Sequence, residues 1–239
     1  MQLFVDSANL RDIEDALKRG IAGGVTTNPS ILSHEQRRHF TQQIRDIIDL
    51  LRRYGRPVPL SVELLTTDPA EMARQAHCFL DWFGDYEELY IKVPIGWDEL
   101  QVIHEIRLAG GRVNCTCCMS YNQALMAANA GANFVSLFWG RIRDIGYDAA
   151  SVVREVRQTF KDRSCQSRII VGSIRQMIDV NEAVQAGADI VTVPPKLLPL
   201  LCRHPKTEEA VQQFLQDFTS WSEPATLAES VALSPTHPR

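Results

Sequence analysis

The chain has 239 residues, 45% of them hydrophobic and 23% charged, and a net charge of −4 at neutral pH. That supplies a large core without metals or disulfides, and the scattered Lys and Arg residues offer no basic field for nucleic acid. No apolar run approaches the ~20 residues that cross a bilayer, and the opening MQLFVDSANL enters a strand pattern directly with no signal-like segment, so a cytoplasmic protein without membrane association is expected.

Eight short β-rich runs are predicted, at residues 3–6, 24–28, 60–64, 89–94, 113–117, 134–138, 169–173 and 190–193. Helical signals lie between them. Ser7 is placed to cap a first helix carrying Leu10, Ile13 and Leu17 on one face and stopped by Gly20. Ser33 and Gln36 form a capping-box pair ahead of a long helix with Phe40, Ile44, Ile47, Ile48 and Leu51 in register. Asp68-Pro69 reads as a cap followed by proline at the first helical position. Ser120 opens an alanine-rich helix that ends at Gly131, and a helix over residues 177–186 is stopped by Gly187.

The segments NAGANFVS and QAGADIVT both run from a helix end through glycine straight into a strand, and RGIAGGVTT is a looser version. Such short helix-to-strand joints belong to parallel sheets with helical crossovers. Eight strands alternating with helices fit a closed (β/α)8 barrel better than an open sheet, and no G-x-G-x-x-G follows the first strand. Beyond the eighth strand, Thr207 is expected to cap a further helix with Val211, Phe214, Leu215 and Phe218 on one stripe. Residues 1–221 are therefore read as one α/β domain, a barrel with an added C-terminal helix. Residues 222–239, with three prolines and no period, are read as a poorly ordered tail.

The six cysteines, Cys78, Cys115, Cys117, Cys118, Cys165 and Cys202, are expected to be reduced thiols packed around the core. NCTCCMS lacks the paired spacing of a zinc site, so no metal is assigned. Period-2 alternation puts Asn114 and Thr116 on the inner face of the fifth strand and Cys115 and Cys117 on the outer face. Cys118 shares the parity of Thr116 and is expected to reach the mouth.

In a barrel, chemistry belongs at the C-terminal ends of the strands. The unexpected polar residues sit there: Asp6, Asn28, Glu63, Lys92, Asn114, Thr116, Ser136 and Ser173. Lys92, inside the apolar run LYIKVP, is the most demanding of these. Desolvation favours the uncharged form of an amine, and the uncharged form is the nucleophile; its usual target is a carbonyl, giving a Schiff base. Asp6 is placed to take a proton from a substrate hydroxyl, and Glu63 to shuttle protons through a water held by Thr116. Asn28, Asn114 and Ser136 would fix sugar hydroxyls. Arg141 after the sixth strand, with Ser173 and Arg175 after the seventh, suits a phosphate. Each residue taken singly has a plainer reading: an ion pair of Lys92 with Asp6 or Glu63, a helix cap at Asp6, a turn at Asn28-Pro29, ordinary hydroxyls at Thr116 and Ser173.

The motifs LFVDSANL, GVTTNPSIL, SVELLTTD, YIKVP, VNCT, NQALMAANAGANFVS, GRIRDIG and GSIR resemble those of the small transaldolases and the related fructose-6-phosphate aldolases. The resemblance extends from Met1 to Trp221. It implies a class I enzyme on a (β/α)8 barrel, with Lys92 as the Schiff-base lysine and Asp6 as the proton acceptor in C–C cleavage. Glu63 and Thr116 would work with the catalytic water, Asn28 and Asn114 on substrate hydroxyls, and Ser136 near the dihydroxyacetone unit. Arg141, Ser173 and Arg175 would form the phosphate clamp. Glu63 and Phe138 stand where the aldolases typically carry glutamine and tyrosine, which implies transfer of the three-carbon unit in preference to its release. Sugar phosphates are the implied substrates, no cofactor is implied, and a homo-oligomer, often a decameric ring, is the implied assembly. SLFWGR, where the family usually reads SPFVGR, leaves room for a different aldehyde acceptor. A dihydroxyacetone-using aldolase and a non-catalytic sugar-phosphate-binding barrel are the alternatives.

Overall fold

The computed structural model describes residues 1–55 and 57–221. Its strands are β1 Gln2–Asp6, β2 Val25–Thr26, β3 Leu60–Glu63, β4 Leu89–Pro94, β5 Val113–Cys118, β6 Phe134–Phe138, β7 Arg168–Gly172 and β8 Ile190–Val193. They pair in chain order, all parallel, and β8 returns to β1 with Gln2 opposite Ile190, which closes the expected barrel. Helices α1 Leu10–Lys18, α2 Pro29–Leu32, α3 Phe40–Arg53, α4 Pro69–Phe83, α5 Glu99–Leu108, α6 Tyr121–Asn129, α7 Trp139–Asp144, α8 Ala149–Asp162 and α9 Met177–Gln185 form the crossovers.

Several helix starts differ from the expected ones. Asn9, not Ser7, caps α1, its Oδ1 accepting from Arg11 N at 2.9 Å, while Ser7 Oγ accepts from Asn9 N at 3.0 Å. The Ser33/Gln36 box does not form, because Asn28 and Pro29 start the short α2 first and Ser33 closes it. That also cuts β2 to two residues, and α3 then begins at Phe40 with no side-chain cap at His39. Asp68 and Ser120 cap α4 and α6 as expected, accepting from Glu71 N at 2.7 Å and Gln123 N at 3.3 Å.

Period-2 alternation explains the interior. Phe4, Tyr90, Phe134, Ile170 and Ile190 form a buried cluster inside the barrel, with the Tyr90 and Phe134 rings stacked at 4.2 Å. Two residues further along each of those strands come Asp6, Lys92, Ser136, Gly172 and Thr192, all of which line the mouth. The apolar layer is thus the floor beneath the polar one. Gly24 belongs to this floor, since a Cβ there would lie 2.5 Å from the Phe4 ring. Outward-facing Val5, Val62, Ile91, Val93, Val135, Val171 and Val191 are all buried, as a barrel covered by helices requires.

The barrel unit spans Met1–Leu198, and a second unit begins at Pro199. Within that unit, α10 runs Pro205–Trp221. Proline opens it, so Thr207 lies inside its first turn and is not its cap. The predicted tail at 222–239 lies outside the described residues. Among the described residues, no helix is long and apolar enough to cross a membrane.

Candidate active site

The mouth encloses a cavity of about 400 Å³ at the C-terminal ends of the strands. All of the predicted site residues line it except Asn114 and Arg175.

Register places the central group. Glu63 on β3 is opposite Lys92 on β4, and Lys92 is opposite Asn114 on β5, so the three side chains stand side by side on one face. Lys92 Nζ lies 2.8 Å from Glu63 Oε2 and donates to the Thr27 carbonyl at 2.8 Å. The side chains are only 5% and 15% exposed. The amine is therefore enclosed but has two oxygen partners, and its surroundings are more polar than the run LYIKVP suggests.

Asp6 occupies the adjoining wall. Thr26 Oγ1 donates to Asp6 Oδ1 at 2.6 Å and lies 2.5 Å from Thr192 Oγ1. The single Thr26 proton is used on Asp6, so Thr192 is the donor in the second contact. Burial pushes the Asp6 carboxyl above its ordinary value, against the Thr26 hydrogen bond and the Lys92 charge, which both lower it; Glu63 adds to the rise. A carboxylate so placed is a stronger base than a solvated one.

Asn114 sits just below the wall, donating to Ser61 Oγ at 3.1 Å and accepting from Ser136 Oγ at 2.7 Å. It braces Ser136 and does not line the cavity. Asn28 does line it, while its Oδ1 caps α2 through Ile31 N at 2.9 Å. Thr116 Oγ1 is buried in the wall with no hydrogen-bond partner among the described residues.

The cysteines correct the parity reading. The register of β5 against β6 shifts between Cys115 and Cys118, and Cys117 takes φ 60°. This bulge turns Cys117 into the cavity wall and sends Cys118 behind the strand, where its Sγ lies 3.9 Å from Cys115 Sγ. Period-2 counting fails across a bulge because one residue is inserted into the alternation. Of the six thiols, only Cys115 and Cys118 are buried; Cys78, Cys117 and Cys165 are half-buried and Cys202 is exposed.

The opposite wall carries Arg141. Arg141 makes no ion pair among the described residues and shares the wall with Ser173. Ser173 takes φ 57°, and its carbonyl accepts from Gly140 N at 3.1 Å. Gly140 has to be glycine: a Cβ would lie 2.6 Å from Ser173 O and 2.7 Å from Arg175 Nε. Arg175 is outside the cavity wall, with Nη1 and Nη2 both 2.6 Å from the Asp144 carboxylate. Asp179, buried, accepts from Arg175 N and Gln176 N at 2.9 Å each and from Arg143 Nη1 at 2.8 Å, which ties down the loop after β7. Trp139 is buried with its indole N–H unpartnered among the described residues.

Thr26, Thr192, Ser61 and Cys117 were not among the predicted site residues. Thr192 had a usable signal, two residues beyond the floor residue Ile190. Cys117 had none, since nothing in NCTCCMS marks the bulge.

A family model described as transaldolase/fructose-6-phosphate aldolase matches residues 3–231. The chain is 35% identical over 218 residues to a probable transaldolase of Carboxydothermus hydrogenoformans, covering 91% of this chain and 98% of that protein. It is 38% identical over 222 residues to a probable transaldolase of Heliobacterium modesticaldum, covering 92% and 98%. To a probable transaldolase of Roseiflexus castenholzii it is 36% identical over 223 residues, covering 93% and 99%. Beside a barrel mouth that gathers Lys92, Glu63 and Asp6, these matches show that the chain belongs to the transaldolase/fructose-6-phosphate aldolase family of enzymes.

Proposed function

We propose that the enzyme moves a dihydroxyacetone unit from a ketose phosphate, sedoheptulose 7-phosphate or fructose 6-phosphate, to an aldose phosphate through a Schiff base on Lys92. The observation that carries this reading is the enclosed contact of Lys92 Nζ with Glu63 Oε2 at 2.8 Å, with Asp6 on the next wall.

In the first step a proton passes from Lys92 to Glu63, and the freed amine adds to the ketose carbonyl to give a carbinolamine. Glu63 returns that proton to the carbinolamine hydroxyl through a water held at Thr116 Oγ1, and water leaves as the iminium forms. Asp6 then takes the proton of the C4 hydroxyl. The C3–C4 bond breaks, its electron pair flows into the iminium, and an aldehyde departs from a Lys92 enamine. Addition of the enamine to a second aldehyde and hydrolysis of the new iminium reverse these steps. The imine is the electron sink, so the scheme needs no metal or organic cofactor.

Phe138 in the wall supports transfer over release, because it offers no hydroxyl to position a water against the enamine. Ser136, braced by Asn114, and Asn28 are assigned to the sugar hydroxyls; Arg141, Ser173 and Arg175 are assigned to the phosphate. A homo-oligomer of decameric type is proposed with the exposed Phe214, Leu215 and Trp221 of α10 as support, and the cytoplasm as its location. Assay of fructose 6-phosphate with and without erythrose 4-phosphate tests the reaction class. Sedoheptulose 7-phosphate forming only with the acceptor is expected; free dihydroxyacetone accumulating without it would make the protein an aldolase instead.

A further inference from the structure

We propose that Asp144 is a built-in rival for the anion that Arg175 helps to bind, and that it thereby sets how tightly the mouth holds a phosphorylated substrate. This rests on the reading that Arg141, Ser173 and Arg175 face the substrate's phosphate.

Two arginines border the same wall in opposite states. Arg141 lines the cavity and has no carboxylate partner among the described residues. Arg175 packs against the backbone at Gly140, where its Nε and the Ser173 hydroxyl lie 2.7 and 3.0 Å from the same point, the site of a Cβ at that glycine. The guanidinium is therefore next to the anion-binding hydroxyl, but Nη1 and Nη2 each already donate one N–H to the Asp144 carboxylate at 2.6 Å, which fixes the fork's orientation. A phosphate entering at Arg141 and Ser173 meets a guanidinium that is already forked onto a carboxylate, and a negative charge beside it.

The comparison with Asp179 separates rivalry from scaffolding. Asp179 is 4% exposed by side chain and accepts two backbone N–H groups, so the loop depends on it. Asp144 is 45% exposed, ends α7, and its carboxylate takes hydrogen bonds only from Arg175 among the described residues. It constrains one side chain and no backbone. A half-exposed pair of this sort is easily displaced by a dianion, so Asp144 lowers phosphate affinity without preventing binding, and a phosphorylated product leaves more readily.

The test is calorimetric titration of inorganic phosphate into the full chain, comparing wild type with Asp144→Asn, Asp144→Ser, Arg141→Gln and the double variant Asp144→Asn/Arg175→Gln. Both Asp144 variants are expected to bind phosphate about threefold to tenfold more tightly. That gain is expected to disappear when Arg175→Gln is added, and Arg141→Gln is expected to weaken binding. Unchanged or weaker binding in the Asp144 variants, with Arg141→Gln still damaging, would overturn the rivalry and make Asp144 a brace while leaving the phosphate site intact. Phosphate binding that ignores Arg141 as well would overturn the phosphate assignment and the rivalry together.

Discussion

Lys92 Nζ lies 2.8 Å from Glu63 Oε2, and the two side chains are almost closed off from solvent at 5% and 15% exposure. Water contributes little to holding either charge, so each is held chiefly by the other, and the amine also by the Thr27 carbonyl. Removing one partner of a buried pair is strongly destabilising, whereas the intact pair contributes little net stability. The proposed chemistry, not net stability, is the reading that this contact supports.

Replacing Lys92 by Met is expected to abolish transfer while the barrel stays folded. Glu63, left without its partner, costs up to about 3–5 kcal/mol. Circular dichroism with urea unfolding checks the fold, and a coupled assay checks turnover. Residual transfer in a folded Lys92→Met protein would contradict the imine.

The Asp6 carboxyl, raised chiefly by burial, is expected to set the acid side of the pH profile. Its base form is lost as pH falls through a value above the ordinary 3.8, so kcat/KM drops there. Because the Thr26 hydrogen bond lowers this pKa, Thr26→Val is expected to move that limb to higher pH. For stability the sign is opposite to that of a salt-bridged acid. A raised folded pKa contributes stability fully present below the unfolded value, and that contribution is lost as pH rises through the folded value. Asp6→Asn is therefore expected to be inactive yet more stable than wild type at pH 7 in urea unfolding. A less stable Asp6→Asn protein would show that burial is not the governing term.

Gly140→Ala should separate binding from chemistry. The added methyl would lie 2.6 Å from Ser173 O and 2.7 Å from Arg175 Nε, so the loop after β7, proposed to face the phosphate, has to shift, and neither Lys92 nor Asp6 is among the nearest atoms. KM for fructose 6-phosphate is expected to rise about tenfold, equivalent to a loss of about 1.4 kcal/mol, with little change in kcat. An equal fall in kcat and kcat/KM would place Gly140 in the chemical step.

Cys117 at φ 60° carries backbone strain at the mouth. A β-branched residue there is worse, so Cys117→Val is expected to lose about 1–2 kcal/mol, and Cys117→Gly to stay close to wild type. Urea midpoints at constant m-value measure both. Equal stability of the two variants would mean that the bulge relaxes at no cost.

The barrel was legible because its signals repeat: alternation along the strands, glycine just after most crossover helices (α8 ends on Ser164 instead), polar residues at the same end of successive strands. The floor and mouth layers follow from counting by two from Phe4, Tyr90 and Phe134. What escaped depends on contacts between distant segments. Asn28 was read as a sugar contact and turn residue; it caps α2 and lines the mouth together, which only the folded loop reveals. The pairing of Arg175 with Asp144 spans 31 residues and leaves no local trace. The bulge at Cys117 reversed the expected orientations of two thiols, since alternation carries no information across an inserted residue. Lys92 stands out through its apolar neighbours in LYIKVP, although its partners, Glu63 on β3 and the Thr27 carbonyl just after β2, come from other parts of the chain.

The central claim is the imine on Lys92, and borohydride reduction in the presence of fructose 6-phosphate, followed by intact mass and peptide mapping, tests it most directly. A three-carbon adduct on Lys92, absent without substrate or without borohydride, is the predicted result. An unmodified protein, or an adduct on any other lysine, would contradict the account.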